Sequence, residues 1–186
     1  TKTGVVQAVG EGNTSIVAKV KGIKIFARIF VTKKYVQDSG HEYTRGEWVK
    51  LLLDKVGCKY EEQFDSKNYY YADTRENENG IAAEIAKTMG IIPDETNDQD
   101  VPYFYPDEYA TREFAAYTAV MLMGYEATDE EPTCADAAQI RYKNVVAIAL
   151  KKNMLSLNGA AFEPEKAITG NDAAQILKAI DQITED

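Results

Sequence analysis

Hydrophobic and polar positions alternate with a period of two near the start of the chain and with a helical period from residue 44 onward. Residues 14 to 20 read Thr-Ser-Ile-Val-Ala-Lys-Val. In the next stretch Ile23, Ile25, Ala27, Ile29 and Val31 share one face, and Lys24, Phe26, Arg28 and Phe30 share the other. Such alternation predicts strands. Lys21-Gly22 supplies the turn between them, and Gly10, Gly12 and Asn13 supply the turn before. A meander of short strands is expected over 1–32, too little to close a sandwich, which needs a second sheet. Five helical stretches follow: 44–57, 79–90, 109–124, 136–153 and 170–184. The first carries Trp48, Leu51, Leu52 and Val56 at helical spacing, and the last Ala173, Ile176, Leu177, Ile180 and Ile183. The expected fold is therefore mainly α, a helical repeat bundle with an N-terminal antiparallel β-meander, α+β overall. Residues 33–43 read as a linker and 44–184 as the helical domain.

The helices repeat as a unit. One copy runs through Ala72-Asp73, Ile85-Ala86, Met89-Gly90-Ile91-Ile92, Phe104-Tyr105-Pro106-Asp107 and Ala110-Thr111-Arg112 to Gly124-Tyr125. The next runs through Ala135-Asp136, Ile148-Ala149, Asn153-Met154-Leu155, Phe162-Glu163-Pro164-Glu165 and Ile168-Thr169-Gly170 to Ile183. The first halves are offset by 63 residues (Asp73 to Asp136) and the second halves by 58 (Thr111 to Thr169). The difference of five falls in a longer acidic loop, Asp94 to Asp100, of the earlier copy. A half-copy, Tyr43-Thr44-Arg45-Gly46-Glu47-Trp48 to Gly57, precedes both. Each threonine marks a helix start. In Thr44-x-x-Glu47 the hydroxyl and the carboxylate can cap each other's backbone N–H. Thr169-x-x-Asp172 is a shorter version, and Thr111-x-x-Phe114 keeps only the hydroxyl. Pro106 and Pro164, five residues before their threonines, stiffen the approach.

These pieces resemble S-layer homology motifs: an aromatic-x-Asp segment, a helix ending in Gly-Ile-Ile, a loop with an aromatic and proline, then a Thr-Arg helix start. Residues 69–125 match through Tyr71-Ala72-Asp73, Gly90-Ile91-Ile92, Phe104-Tyr105-Pro106-Asp107 and Thr111-Arg112. Residues 134–184 match more weakly, and 43–57 carry only the second half. The first 32 residues resemble the C-terminal half of a bacterial group-2 immunoglobulin-like domain, through Gly4, Val6, Ala8, Gly10, Gly12, Ile16, Ala18, Gly22, Ala27 and Val31. The resemblance implies a three-motif helical bundle with pseudo-threefold arrangement, here reduced to two and a half motifs. It implies a non-catalytic module that attaches a secreted bacterial surface protein to cell-wall polysaccharide, which in that family is often pyruvylated. Arg45 and Arg112 match the motif arginine, whose planar fork suits a carboxylate. The third copy has Gly170 there, so its groove is expected to be weak or dead.

Each candidate also has a plainer reading. Arg45 and Arg112 lie in first turns, where a cation opposes the helix dipole. That misfit points to a role, either toward a ligand or within the fold. Tyr103, Tyr105 and Trp48 are secondary ligand candidates, since aromatic faces suit sugar rings. Loop aromatics equally staple helices together, and Trp48 has core spacing. A groove lined by Arg112 and aromatics would favour sugar binding. Arginines tied up in salt bridges would favour a structural or protein-interaction spacer, docked to other domains of the parent protein.

Composition narrows the classes. Twenty-one Lys and Arg against 30 Asp and Glu give a net charge of −9. An acidic surface repels phosphate backbones, so no nucleic-acid partner is expected. It also opposes steering toward an anionic polymer, which leaves local arginine pairing to carry any attachment. No apolar run is long enough for membrane insertion, and no leader is visible. The first residue is Thr1 rather than methionine, so the chain reads as a processed or excised piece and the missing leader says nothing about secretion. An extracellular, cell-surface location is expected from the resemblance. No cofactor or metal is expected: one histidine (His41) and two cysteines (Cys58 and Cys134) cannot complete a zinc site. The cysteines read as buried thiols or as a disulfide pair. The Asp94–Asp100 loop fails as a calcium loop, because its sixth position is Gln99 and its twelfth Tyr105. Nothing in the sequence marks a catalytic constellation.

Overall fold

A computed structural model describes residues 12–20, 23–31, 39–59, 64–65, 68–126 and 128–184, with side chains for those at 39–59, 64–65, 68–126 and 128–181. The chain divides into two compact units, with the boundary between Val36 and Gln37. In the first unit, strands β1 (Gly12–Val20) and β2 (Ile23–Val31) pair antiparallel, with Val20 opposite Ile23 and Gly12 opposite Val31. The earlier strand expected in the meander lies outside the described residues.

The second unit is helical. Its five helices among the described residues are α1 (Arg45–Lys55), α2 (Gly80–Thr88), α3 (Arg112–Leu122), α4 (Lys143–Lys151) and α5 (Gly170–Thr184). The fourth starts later than its periodicity predicts. Residues 136–142 hold a short 3-10 turn, Ala137–Gln139, instead of the first turns of a helix. The reason is Asp136, whose carboxylate accepts from the backbone N–H of Phe162 (2.8 Å) and Glu163 (2.7 Å). An aspartate committed to a distant loop does not serve the start of its own helix.

The threonine caps form where the spacing places them. Thr44 and Glu47 make a full capping box. Thr169 and Asp172 do the same, with Thr169 N–H donating to Asp172 (3.0 Å) and Asp172 N–H to the threonine hydroxyl (3.3 Å). Thr111 accepts from Phe114 N–H (3.1 Å) without a reciprocal carboxylate. Each cap is worth about 1 kcal/mol. The helices end at Gly57, Gly90, Gly124 and Asn153, all with positive φ, which closes the last turn in the left-handed conformation.

A closed ring of backbone bonds joins the three repeats. Ala110 N–H donates to Tyr43 O (2.9 Å), Ile168 N–H to Ala110 O (2.9 Å), and Tyr43 N–H to Ile168 O (3.3 Å). These are the residues just before Thr111, Thr169 and Thr44, so the same position of each repeat bonds to the next around a pseudo-threefold axis. The half-motif at 43–57 thus takes a full third place in the ring although its leading helix is missing from the described residues. Around this axis lies the core of Trp48, Leu52, Phe104, Phe114, Phe162, Ile168, Ile176 and Ile180. Helix α1 packs on α2 and α3 on α4, and α2, α3 and α4 carry small buried residues such as Ala82, Ala83, Ala86, Ala116 and Ala149.

Candidate functional site at the motif arginines

The first turns of α1 and α3 are each completed by the following repeat. Arg45 N–H donates to Glu108 O (2.8 Å) and Gly46 N–H to Pro106 O (2.9 Å). Arg112 N–H donates to Lys166 O (2.8 Å) and Glu113 N–H to Pro164 O (3.0 Å). Helix-start donors that would otherwise lack partners are thereby satisfied, and each arginine is placed against the loop of the next repeat. Those loops are held open by one aspartate each. Asp73 accepts from Phe104 N–H (2.9 Å) and Tyr105 N–H (2.7 Å), as Asp136 does from Phe162 and Glu163. Tyr105 and Glu163 both have φ of 58°, an uncommon conformation that costs about 1–2 kcal/mol and aims the two N–H groups at one carboxylate.

The arginine side chains then make the same inner contact. Arg45 Nε donates to Phe104 O (2.8 Å), and Arg112 Nε donates to Phe162 O (2.8 Å). Each guanidinium also lies over the ring of that phenylalanine, at 5.1 Å for Arg45 and 5.2 Å for Arg112. The outer nitrogens differ. Arg112 donates to Asp172 and to Ser156 O (2.6 Å). Asp172 is itself fixed by the Thr169 cap, so this carboxylate is built into α5. At the corresponding place opposite Arg45 stands Phe114, whose ring lies 4.1 Å from the guanidinium carbon. Lacking a carboxylate there, Arg45 pairs with Glu95 (2.7 Å), which belongs to the five-residue-longer acidic loop.

Both arginines are buried, Arg45 at 8% exposure and Arg112 at 2%. They are neutralised within the fold, which removes the conflict with the helix dipole read from the sequence. The sequence placed Trp48 among the ligand candidates, and the structure corrects this. Trp48 is fully buried, with Nε1 donating to Thr118 Oγ1 (2.8 Å). Tyr103 and Tyr105 are half-buried and pack on each other with ring centroids 5.5 Å apart. Loss of hydration raises the Tyr105 phenol pKa, and the charges of Asp98, Glu108 and Asp73 raise it further. That field is unfavourable to an anionic ligand at this ring.

Sequence reasoning missed the arginines' carboxylate partners, Glu95 and Asp172. It also missed Glu84, a buried carboxylate that accepts from Tyr70 N–H, Tyr71 N–H and the Thr74 hydroxyl. The signal for Glu95 was the five-residue length difference between the repeats. His41 sits 3.4 Å from Glu47 at the helix start. Cys58 and Cys134 are both free and half-buried, and burial raises the pKa of each thiol. No group of three or more His, Cys, Asp or Glu side chains that could hold a metal ion occurs among the described residues. No described helix is long and apolar enough to cross a membrane. No protein-family model matches the chain, and no match was found among curated proteins.

Proposed function

We propose that this chain is a non-catalytic structural module of a secreted bacterial surface protein, built from S-layer homology-like repeats whose grooves are closed from within. The observation that carries this reading is the state of the motif arginines. Both are buried, and each meets a carboxylate of the chain itself. An arginine so placed fixes one repeat to the next. Its net gain depends on good geometry and full hydrogen bonding, because burying two charges carries a large desolvation cost. The module would space or dock other domains at the cell surface. Neither a cofactor nor a nucleic acid enters this role.

A second reading is attachment to anionic cell-wall polysaccharide. One observation favours it for the Arg45 groove alone: the partner there, Glu95, sits on a loop and is about a quarter exposed at 27%, whereas Asp172 is at 16%. Sedimentation with cell-wall sacculi, with and without their polysaccharide, separates the readings. The structural reading expects the chain to stay in solution with both preparations at low salt. Pelleting only with polysaccharide-bearing walls would overturn it in favour of attachment.

A further inference from the structure

The chain has two Asn-Gly pairs, Asn79-Gly80 and Asn158-Gly159, and they stand in opposite surroundings. Such a pair is reactive because glycine has no side chain to shield its nitrogen from the preceding carboxamide. Gly80 is buried in the first turn of α2. Its N–H donates to Asn77 O (3.0 Å), and Asn79 N–H donates to the Asn77 side-chain oxygen (2.9 Å). A Cβ on Gly80 would lie 1.8 Å from Thr74 O. Bringing the Gly80 nitrogen onto the Asn79 side chain would break the start of α2.

Asn158 and Gly159 are exposed, in a turn closed by Asn158 N–H to Ala161 O (2.8 Å) and Ala161 N–H to Asn158 O (3.2 Å). Ala160 O accepts from Ala135 N–H (2.8 Å) on the far side of the turn. The Gly159 N–H makes no hydrogen bond to another described residue, and a Cβ there would meet nothing within 4 Å. The Asn158 carboxamide donates to Glu163 Oε2 (2.5 Å), and Lys166 donates to the same oxygen (2.8 Å). These bonds hold the Glu163 carboxyl below its ordinary 4.5, so it is ionised at neutral pH. Glu163 N–H is held in turn by Asp136, and the neighbouring Phe162 gives its carbonyl to Arg112 Nε.

We propose that Asn158-Gly159 is a self-modifying site: the Gly159 nitrogen attacks the Asn158 carboxamide, and the residue slowly becomes an aspartate or isoaspartate that loosens the loop seating Arg112. In the first step the nitrogen bonds to the carboxamide carbon and gives up its proton, and the side-chain nitrogen leaves as ammonia. This closes a succinimide ring. Water then adds at either carbonyl and opens it. A donor to Glu163 is thereby replaced by a like charge, and Lys166 is shared between two carboxylates. The loosening rests on the structural reading of Arg112 and adds a change with age to it.

The intact chain is held at mildly alkaline pH over days, digested with trypsin and followed by mass spectrometry, with peptides 153–166 and 76–87 reporting the two pairs. Asn158 should convert at least about tenfold faster than Asn79, whose reaction waits on local opening of α2. Equal rates, or an unchanged peptide 153–166, overturn the site. The consequence is read in Asn158→Asp from hydrogen exchange at the Arg112 Nε–H. Exchange should quicken about two- to fivefold, the range of an exposed charge contact, and return toward wild type in high salt. The Arg45 signal should stay unchanged and so report that the variant is folded. Unchanged exchange at Arg112 overturns the loosening. Wild-type exchange at Arg112 as fast as at the exposed Arg141 overturns the structural reading and the loosening with it, whereas the conversion stands or falls on the masses alone.

Discussion

Replacing Arg112 by alanine removes the most deeply buried cation among the described residues and leaves its partners behind. The side chain is 2% exposed and donates to Phe162 O, Ser156 O and Asp172. Removing one partner of a buried pair costs about 3–5 kcal/mol, mostly because the other charge is stranded. Asp172 is 16% exposed and keeps the Thr169 cap, so some rehydration is available and the lower end applies. The expected loss is about 3 kcal/mol, which for a domain of this size lowers Tm by about 10 °C. Arg45→Ala should cost about half as much, since Glu95 is 27% exposed and returns to water on its loop. Chemical denaturation followed by circular dichroism measures both, with Lys166→Ala as a surface control. A double-mutant cycle of Arg112→Ala with Asp172→Ala should show coupling of at least about 1 kcal/mol. The reasoning fails if Arg112→Ala costs under about 1 kcal/mol, or if Arg45→Ala costs as much.

Other consequences concern the backbone and pH. A Cβ on Gly80 would lie 1.8 Å from Thr74 O, so Gly80→Ala should cost about 3 kcal/mol or more, or block folding. Gly90→Ala meets no atom and should cost only about 1–2 kcal/mol for its φ of 73°; Tm values compare the two. Bonds from the Phe162 and Glu163 N–H groups hold the Asp136 carboxyl below its ordinary 3.8. Its stabilisation is complete above pH 3.8 and is lost as pH falls through the lower folded value. Asp136→Asn should therefore be less stable than wild type at pH 7 and converge with it in strong acid, read from urea midpoints. Burial raises the Glu113 carboxyl above its ordinary 4.5, against the pull of the Tyr142 and Arg141 N–H bonds. Its contribution is full below pH 4.5 and is lost as pH rises through the raised value, so Glu113→Gln should flatten the pH dependence just above 4.5.

Much of the helical unit was legible because it rests on local signals. The threonine caps, the glycine stops and the apolar spacing around Trp48 and Ile176 lie within a few residues of the structure they specify. The exception at 136–142 arose because Asp136 serves Phe162 and Glu163, some 26 and 27 residues away. The repeat carried that information too, since Asp73 stands 63 residues earlier in the same role. The closed ring through Tyr43, Ala110 and Ile168 was not legible, because backbone bonds leave no side-chain signature. The fate of the arginines depended on carboxylates distant in sequence. Glu95 lies 50 residues from Arg45 and Asp172 lies 60 from Arg112, and neither the longer loop that carries Glu95 nor the cap position of Asp172 says which arginine it meets.

Hydrogen exchange at the arginine Nε–H groups tests the central claim most directly. Arg45 and Arg112 are buried with Nε bonded to a carbonyl, whereas Arg75 and Arg141 are exposed. If the arginines join the repeats from within, the Nε–H signals of Arg45 and Arg112 should persist and exchange slowly at neutral pH, with Arg112 the slower. Those of Arg75 and Arg141 should exchange fast. Exchange at Arg45 and Arg112 as fast as at Arg141 would mean open grooves, and would contradict the account.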